Sequence, residues 1–104
     1  LAIVTPRWMR HILNNTTGEL HDQVVERITS FGKNVFGTST PEESIQAIHE
    51  FYESIGIPMT LREVGIDDSR IDEMARHIAD NEGLDEAWVP LHEEDIAAIL
   101  RDCL

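Results

Sequence analysis

Apolar residues recur at steps of three and four along almost the whole chain, and no run alternates apolar with polar residues between turn signals. That period belongs to helices with one buried stripe and leaves no segment patterned for a sheet. The sharpest instance opens at Thr40-Pro41-Glu42-Glu43, with a hydroxyl at the N-cap, a proline at the first helical position and Glu43 closing a capping box. From there Ile45, Ile48, Tyr52 and Ile55 share a face that Ala47 and Phe51 widen. Gly56 stops this helix and Pro58 prevents its resumption.

The remaining segments read the same way. Leu20, Val24, Ile28, Phe31 and Val35 make a second stripe that ends at Gly37. Gly32 lies inside it as a weak point, at a propensity cost of about 1 kcal/mol relative to alanine. Asp67 caps a helix whose Ile71, Met74, Ala75 and Ile78 face inward and which stops near Gly83. Thr60-Leu61-Arg62-Glu63 is another capping box, but Gly65 follows so closely that only a short turn fits. The last helix, reached from Pro90, carries Ile96, Ala97, Leu100 and Cys103.

The first segment allows two readings. Either Thr5 and Pro6 are the N-cap and first residue of a helix, or the helix runs through from residue 2 with a kink at Pro6. In both, Trp8, Met9, Ile12 and Leu13 form the inward face. The expected fold is all-α, about five helices plus a short one, over residues 1–104 as a single domain.

Composition narrows the function. The 104 residues hold 20 Asp and Glu against 8 Lys and Arg, a net charge of −12. Six acids and four bases fall in residues 1–52, but fourteen acids and four bases in residues 53–104. Such a surface repels phosphate backbones and anionic lipid, so neither nucleic acid nor membrane is an expected partner. No apolar run approaches the ~18 residues of a membrane span, and Leu1 to Val4 is too short for the core of a secretory leader. One cysteine, Cys103, cannot form an internal disulfide, which points to a cytoplasmic chain. The apolar start, Leu1-Ala2-Ile3-Val4 without a methionine, suggests a cut inside something longer.

Motifs for chemistry are missing. Neither GxGxxG nor GxxxxGK[ST] occurs. His11, His21, His49, His77 and His92 stand far apart, with no HxxxH or HxxH pair. Asp67-Asp68-Ser69-Arg70-Ile71-Asp72 starts like a calcium loop but has Asp72 where the turn requires glycine. Asp80, Glu82, Asp85 and Glu86 around Gly83 supply no ligand ladder. Cys103 lies on the apolar stripe of its helix and reads as packing. Asn14-Asn15-Thr16-Thr17 holds two overlapping sequons that mark the loop after the first helix. Trp8 and Trp88 read as core or domain-contact residues.

Four segments carry a resemblance. Leu1-Ala2-Ile3-Val4-Thr5-Pro6-Arg7-Trp8-Met9 resembles the stretch that follows the last metal-binding histidine in iron-containing (group III) alcohol dehydrogenases of the butanol dehydrogenase type. Phe31 to Gly37 is similar to that family's F-x-x-x-V-F/W-G segment, and Ser54 to Leu61 to its L/I-G-x-P-x-x-L element, which leads into Gly65-Ile66-Asp67. Pro90-Leu91, Glu94-Asp95-Ile96 and Ile99-Leu100 resemble its closing L-x-x-E-D-I/V-x-x-I-L helix. The four occur in the family's order across the whole chain. One departure is His92, where the family has threonine or another small polar residue opening the last helix. A weaker cap, by ~1 kcal/mol, is the expected consequence.

The resemblance implies the C-terminal part of the helical domain of the dehydroquinate synthase-like/iron alcohol dehydrogenase fold. It favours the helix that runs through Pro6. It also implies hydride transfer between an alcohol carbon and NAD(P), with iron or zinc lowering the pKa of the alcohol. The family's metal ligands, an Asp and three His, precede the matched residues, so no metal, catalytic or cofactor-binding residue is assigned to this chain. The first turn, Leu1 to Thr5, is left with a supporting role beside that pocket. Expected partners are the upstream nucleotide- and metal-binding part, a small alcohol or aldehyde, and further copies in a homo-oligomer. Two other classes compete: an acidic interaction domain docking a basic partner through residues 67–95, and a histidine-based metal carrier.

Overall fold

Local signals set the helix boundaries in the computed structural model, which describes residues 1–104. Helix α1 spans Val4–Asn15, α2 Gly18–Phe36, α3 Pro41–Ser54, α4 Ile71–Asn81 and α5 Glu93–Asp102, and there is no strand. Three single 3₁₀ turns, Arg62–Val64, Asp68–Arg70 and Leu84–Glu86, complete the structure. The expected all-α fold with five helices is what forms.

α1 runs through Pro6, as the second reading expects, but it starts at Val4, two residues later than that reading placed it. The Leu1 carbonyl accepts from the backbone N–H of Val4 (3.2 Å) and of Thr5 (3.0 Å). Pro6 sits in the first turn, where a missing N–H costs little. α3 begins with Thr40 Oγ1 accepting from the Glu43 N–H at 3.2 Å. It ends where expected: the Ile57 N–H reaches the Tyr52 carbonyl (3.1 Å) and the Gly56 N–H the Glu53 carbonyl (3.0 Å). This is the closing pair of a Schellman motif, and it requires the left-handed φ of +83° that Gly56 adopts.

The chain divides into two compact units, Leu1–Met59 and Thr60–Leu104. In the first, α2 packs along α3 and α1 touches both. Ile12, Leu13, Val24, Ile28, Ile45 and Ile48 are buried. Gly32 is no weak point: it is buried where α2 meets α3. A Cβ built there would stand 1.8 Å from Ser44 Oγ and 2.4 Å from Ser44 Cβ. The expected stripes are also too wide, since Val35, Phe51 and Ile55 are 59, 46 and 58 % exposed.

In the second unit α4 packs on α5. Leu61, Ile71, Ala75, Val89, Leu91, Ile96, Ala97, Ile99, Leu100 and Cys103 are buried. The Thr60–Glu63 capping box closes on both sides, with the Glu63 carboxylate accepting from the Thr60 N–H at 2.9 Å and Thr60 Oγ1 from the Glu63 N–H at 3.3 Å. As expected it supports only a short turn. Asp67 caps differently from the sequence expectation. Its carboxylate accepts from the Ser69 N–H (2.9 Å) and hydroxyl (2.6 Å), so it caps the 3₁₀ turn ahead of α4, not α4 itself. At the start of α5 the Asp95 carboxylate accepts from the His92 N–H at 3.0 Å. That bond offsets the loss of a hydroxyl cap at His92.

Candidate functional site

The first turn of α1 is the segment that the sequence singled out as supporting a pocket, and it is firmly held. Leu1 is fully exposed, residues 2–5 are half-buried, and Pro6 and Arg7 are buried. Thr5 Oγ1 donates to the Leu1 carbonyl at 2.9 Å. The Arg7 guanidinium nitrogen Nη1 donates both to the Ile3 carbonyl, at 3.0 Å, and to the Met59 carbonyl. A charged donor, 9 % exposed, thus ties the start of α1 to the segment that follows α3. Sequence reasoning assigned Arg7 no role. Both acceptors are backbone carbonyls, which leave no signal in the sequence.

Arg7→Met keeps most of the side-chain volume and removes the donor, leaving two carbonyls without it. The expected loss is about 2 kcal/mol, seen as a lowered urea midpoint. An unchanged midpoint would show that the strut carries no stability.

The histidines do not converge. The Asn15 side-chain amide donates to the His11 carbonyl at 2.8 Å, and that of Asn81 to the His77 carbonyl at 2.7 Å. His21 Nδ1 lies 3.3 Å from Thr16 Oγ1, His49 lies 3.8 Å from Glu53, and His92 opens α5. No group of three or more His, Cys, Asp or Glu is placed to hold a metal ion. The donor set of residues 1–104 therefore does not fit a catalytic iron or zinc, which needs at least three protein ligands around one point. Cys103 is wholly buried, and its backbone carbonyl accepts from the Leu61 N–H at 2.8 Å. Asn14 and Asn15 form the last turn of α1, and only Thr16 and Thr17 of the expected loop lie outside a helix. Trp8 is half-buried, while Trp88 is 41 % exposed.

The second unit has an open groove between the segment Gly65–Asp67 and α4, lined by Ile66, Arg70, Glu73, Met74, His77 and Ile78. Two of its charges are matched to each other. Arg70 Nη2 and Nε donate to the two Glu73 oxygens at 2.8 and 3.0 Å. That pairing pushes the Arg70 pKa up and the Glu73 pKa down. The hydrogen bonds from Ser69 likewise lower the Asp67 pKa. Met74 and Ile78, expected to face inward, are half-buried along this groove, and only Ile71 and Ala75 of α4 are fully covered.

No helix is long and apolar enough to cross a membrane. Residues 1–104 match the family described as Fe-containing alcohol dehydrogenase, C-terminal. NADH-dependent butanol dehydrogenase A of Clostridium acetobutylicum is 34 % identical over 97 % of the chain and 26 % of its own length. NADH-dependent butanol dehydrogenase B of the same organism is 34 % identical over 73 % of the chain and 20 % of its own. A probable NADH-dependent butanol dehydrogenase 1 of Bacillus subtilis is 31 % identical over 100 % of the chain and 27 % of its own. The chain thus spans about a quarter of the length of these relatives. With the helical order and all four resembling segments inside one continuous match, the chain belongs to the Fe-containing alcohol dehydrogenase family, as its C-terminal part.

Proposed function

We propose that residues 1–104 are the C-terminal helical portion of a longer NAD(P)- and metal-dependent alcohol dehydrogenase that interconverts small alcohols and aldehydes by hydride transfer. The metal ligands and the nucleotide-binding domain lie outside these residues, which alone are catalytically silent. The enzyme works as a cytoplasmic homo-oligomer. The observation that carries the reading is the match along the entire chain to relatives named as NADH-dependent butanol dehydrogenases, of which it covers only 26 and 27 %. The dispersed histidines support the placement of the metal elsewhere. Within the enzyme this chain supplies packing and holds the turn from Leu1 to Thr5 in place.

The expected result for the purified 104 residues is no oxidation of 1-butanol with NAD or NADP, with or without added iron or zinc. The product of the longer gene is expected to reduce the nicotinamide under the same conditions. Turnover by the 104 residues alone would overturn the location of the active site. Failure of the longer product to oxidise any primary alcohol with either nucleotide would overturn the activity.

A further inference from the structure

The first unit carries a line of aromatic rings of which Phe31, Phe36 and Tyr52 are half-buried and Phe51 is exposed. Phe31 and Phe36 meet edge to face at 5.9 Å, Phe36 and Phe51 lie 6.1 Å apart across α2 and α3, and Tyr52 adjoins Phe51 at 6.0 Å. Val35 follows Phe31 by four residues and Ile55 follows Phe51 by four, so each extends the row along its own helix. Val35, Phe51 and Ile55 are 59, 46 and 58 % exposed. Single exposed apolar residues are ordinary, but a contiguous aromatic and aliphatic row marks a surface that something covers.

We infer that this row is the seat of the preceding part of the same enzyme; the inference rests on the reading above that the chain is part of a longer protein. Two observations select that occupant. The relatives carry about three quarters of their length outside the matched region. The start of α1 lies by the end of α3 that bears Phe51 and Ile55, because Arg7 Nη1 bonds the carbonyls of both Ile3 and Met59. Met59 is four residues beyond Ile55, a reach of at most ~14 Å. A chain arriving at Leu1 therefore comes in beside the row. Covalent attachment gives that part an effective concentration on the order of millimolar, so a modest apolar face suffices to hold it.

Hydroxyl-radical labelling, read by mass spectrometry, tests the assignment without using activity. Labelling of Phe51 in the dilute 104-residue chain is compared with that in the longer gene product. Covering Phe51 from 46 % exposed to the level of Ile48, at 8 %, predicts a roughly sixfold fall. Equal labelling in both proteins would overturn the proposal. Labelling that recovers when the longer protein is diluted to a monomer would assign the row to a second copy and overturn it too. A longer protein with no dehydrogenase activity but a protected Phe51 would refute the proposed reaction and leave this surface assignment standing.

Discussion

Replacing Gly32 with alanine is expected to destabilise the protein by about 2–3 kcal/mol, although alanine is the better helix former. Propensity alone favours alanine inside α2 by about 1 kcal/mol. Packing opposes it more strongly. The new Cβ would stand 1.8 Å from Ser44 Oγ, 2.2 Å from Thr38 Oγ1 and 2.4 Å from Ser44 Cβ. The two hydroxyls can rotate away, but Ser44 Cβ moves only with the backbone of α3. Ordinary contact begins near 3.4 Å, so α2 and α3 must part by about an ångström along a packed seam. Rotating the Ser44 hydroxyl also breaks its bond to the Thr40 carbonyl (3.0 Å) and its contact with Thr38 Oγ1 (3.1 Å). Urea unfolding followed by far-UV circular dichroism reads the loss. Gly32→Ala combined with Ser44→Gly should recover part of it, with a favourable coupling between the sites. A Gly32→Ala protein at least as stable as the parent would refute the close approach.

Gly32 also shows where the sequence was legible and where it was not. The ends of α3 were readable because each signal is local: Thr40 caps its own helix and Gly56 supplies its own positive φ. The same holds for the Thr60–Glu63 box, whose two halves lie three residues apart. The role of Gly32 depends on Ser44, a residue on another helix, and no local pattern contains that pairing. The apolar stripes were readable as helical but not in width. Periodicity places Phe51 and Ile55 beside Ile48, yet the partner that would cover them is not among these residues. Asp67 was recognisable as a cap because of its side chain. Its assignment to α4 missed by one turn, since an aspartate caps a 3₁₀ turn as readily as an α-helix. Arg7 escaped notice for the converse reason. One of its acceptors, the Met59 carbonyl, is 52 residues away in the chain, and backbone acceptors leave no mark in the side-chain sequence.

Truncating Ile71 to alanine is expected to remove most of the stability of the second unit. Ile71 is 0 % exposed, and with Ala75 it makes up the fully covered face of α4. Loss of a buried isoleucine side chain costs about 2–5 kcal/mol once the cavity it leaves is included. A unit of about 45 residues commands only about 2–7 kcal/mol in all, so the two magnitudes are comparable. Little remains on α4 to compensate. Met74 and Ile78 already lie half-open along the groove, and Ala75 has one methyl to contribute. The ion pairs Arg101–Asp72 (2.6 Å), Arg76–Glu93 (3.8 Å) and Arg70–Glu73 (2.8 Å) are all largely exposed and screened by water. They orient α4 without anchoring it. Amide hydrogen exchange at Ala75 and Ile78 is the direct readout, because it reports opening of α4 itself. Ile71→Ala should raise exchange there by more than about thirtyfold, corresponding to about 2 kcal/mol. Ile71→Val, which removes one methylene, should raise it by about tenfold or less. Protection in Ile71→Ala within a few-fold of the parent would mean that the ion pairs and the half-buried groove residues hold α4, and that its single buried isoleucine does not.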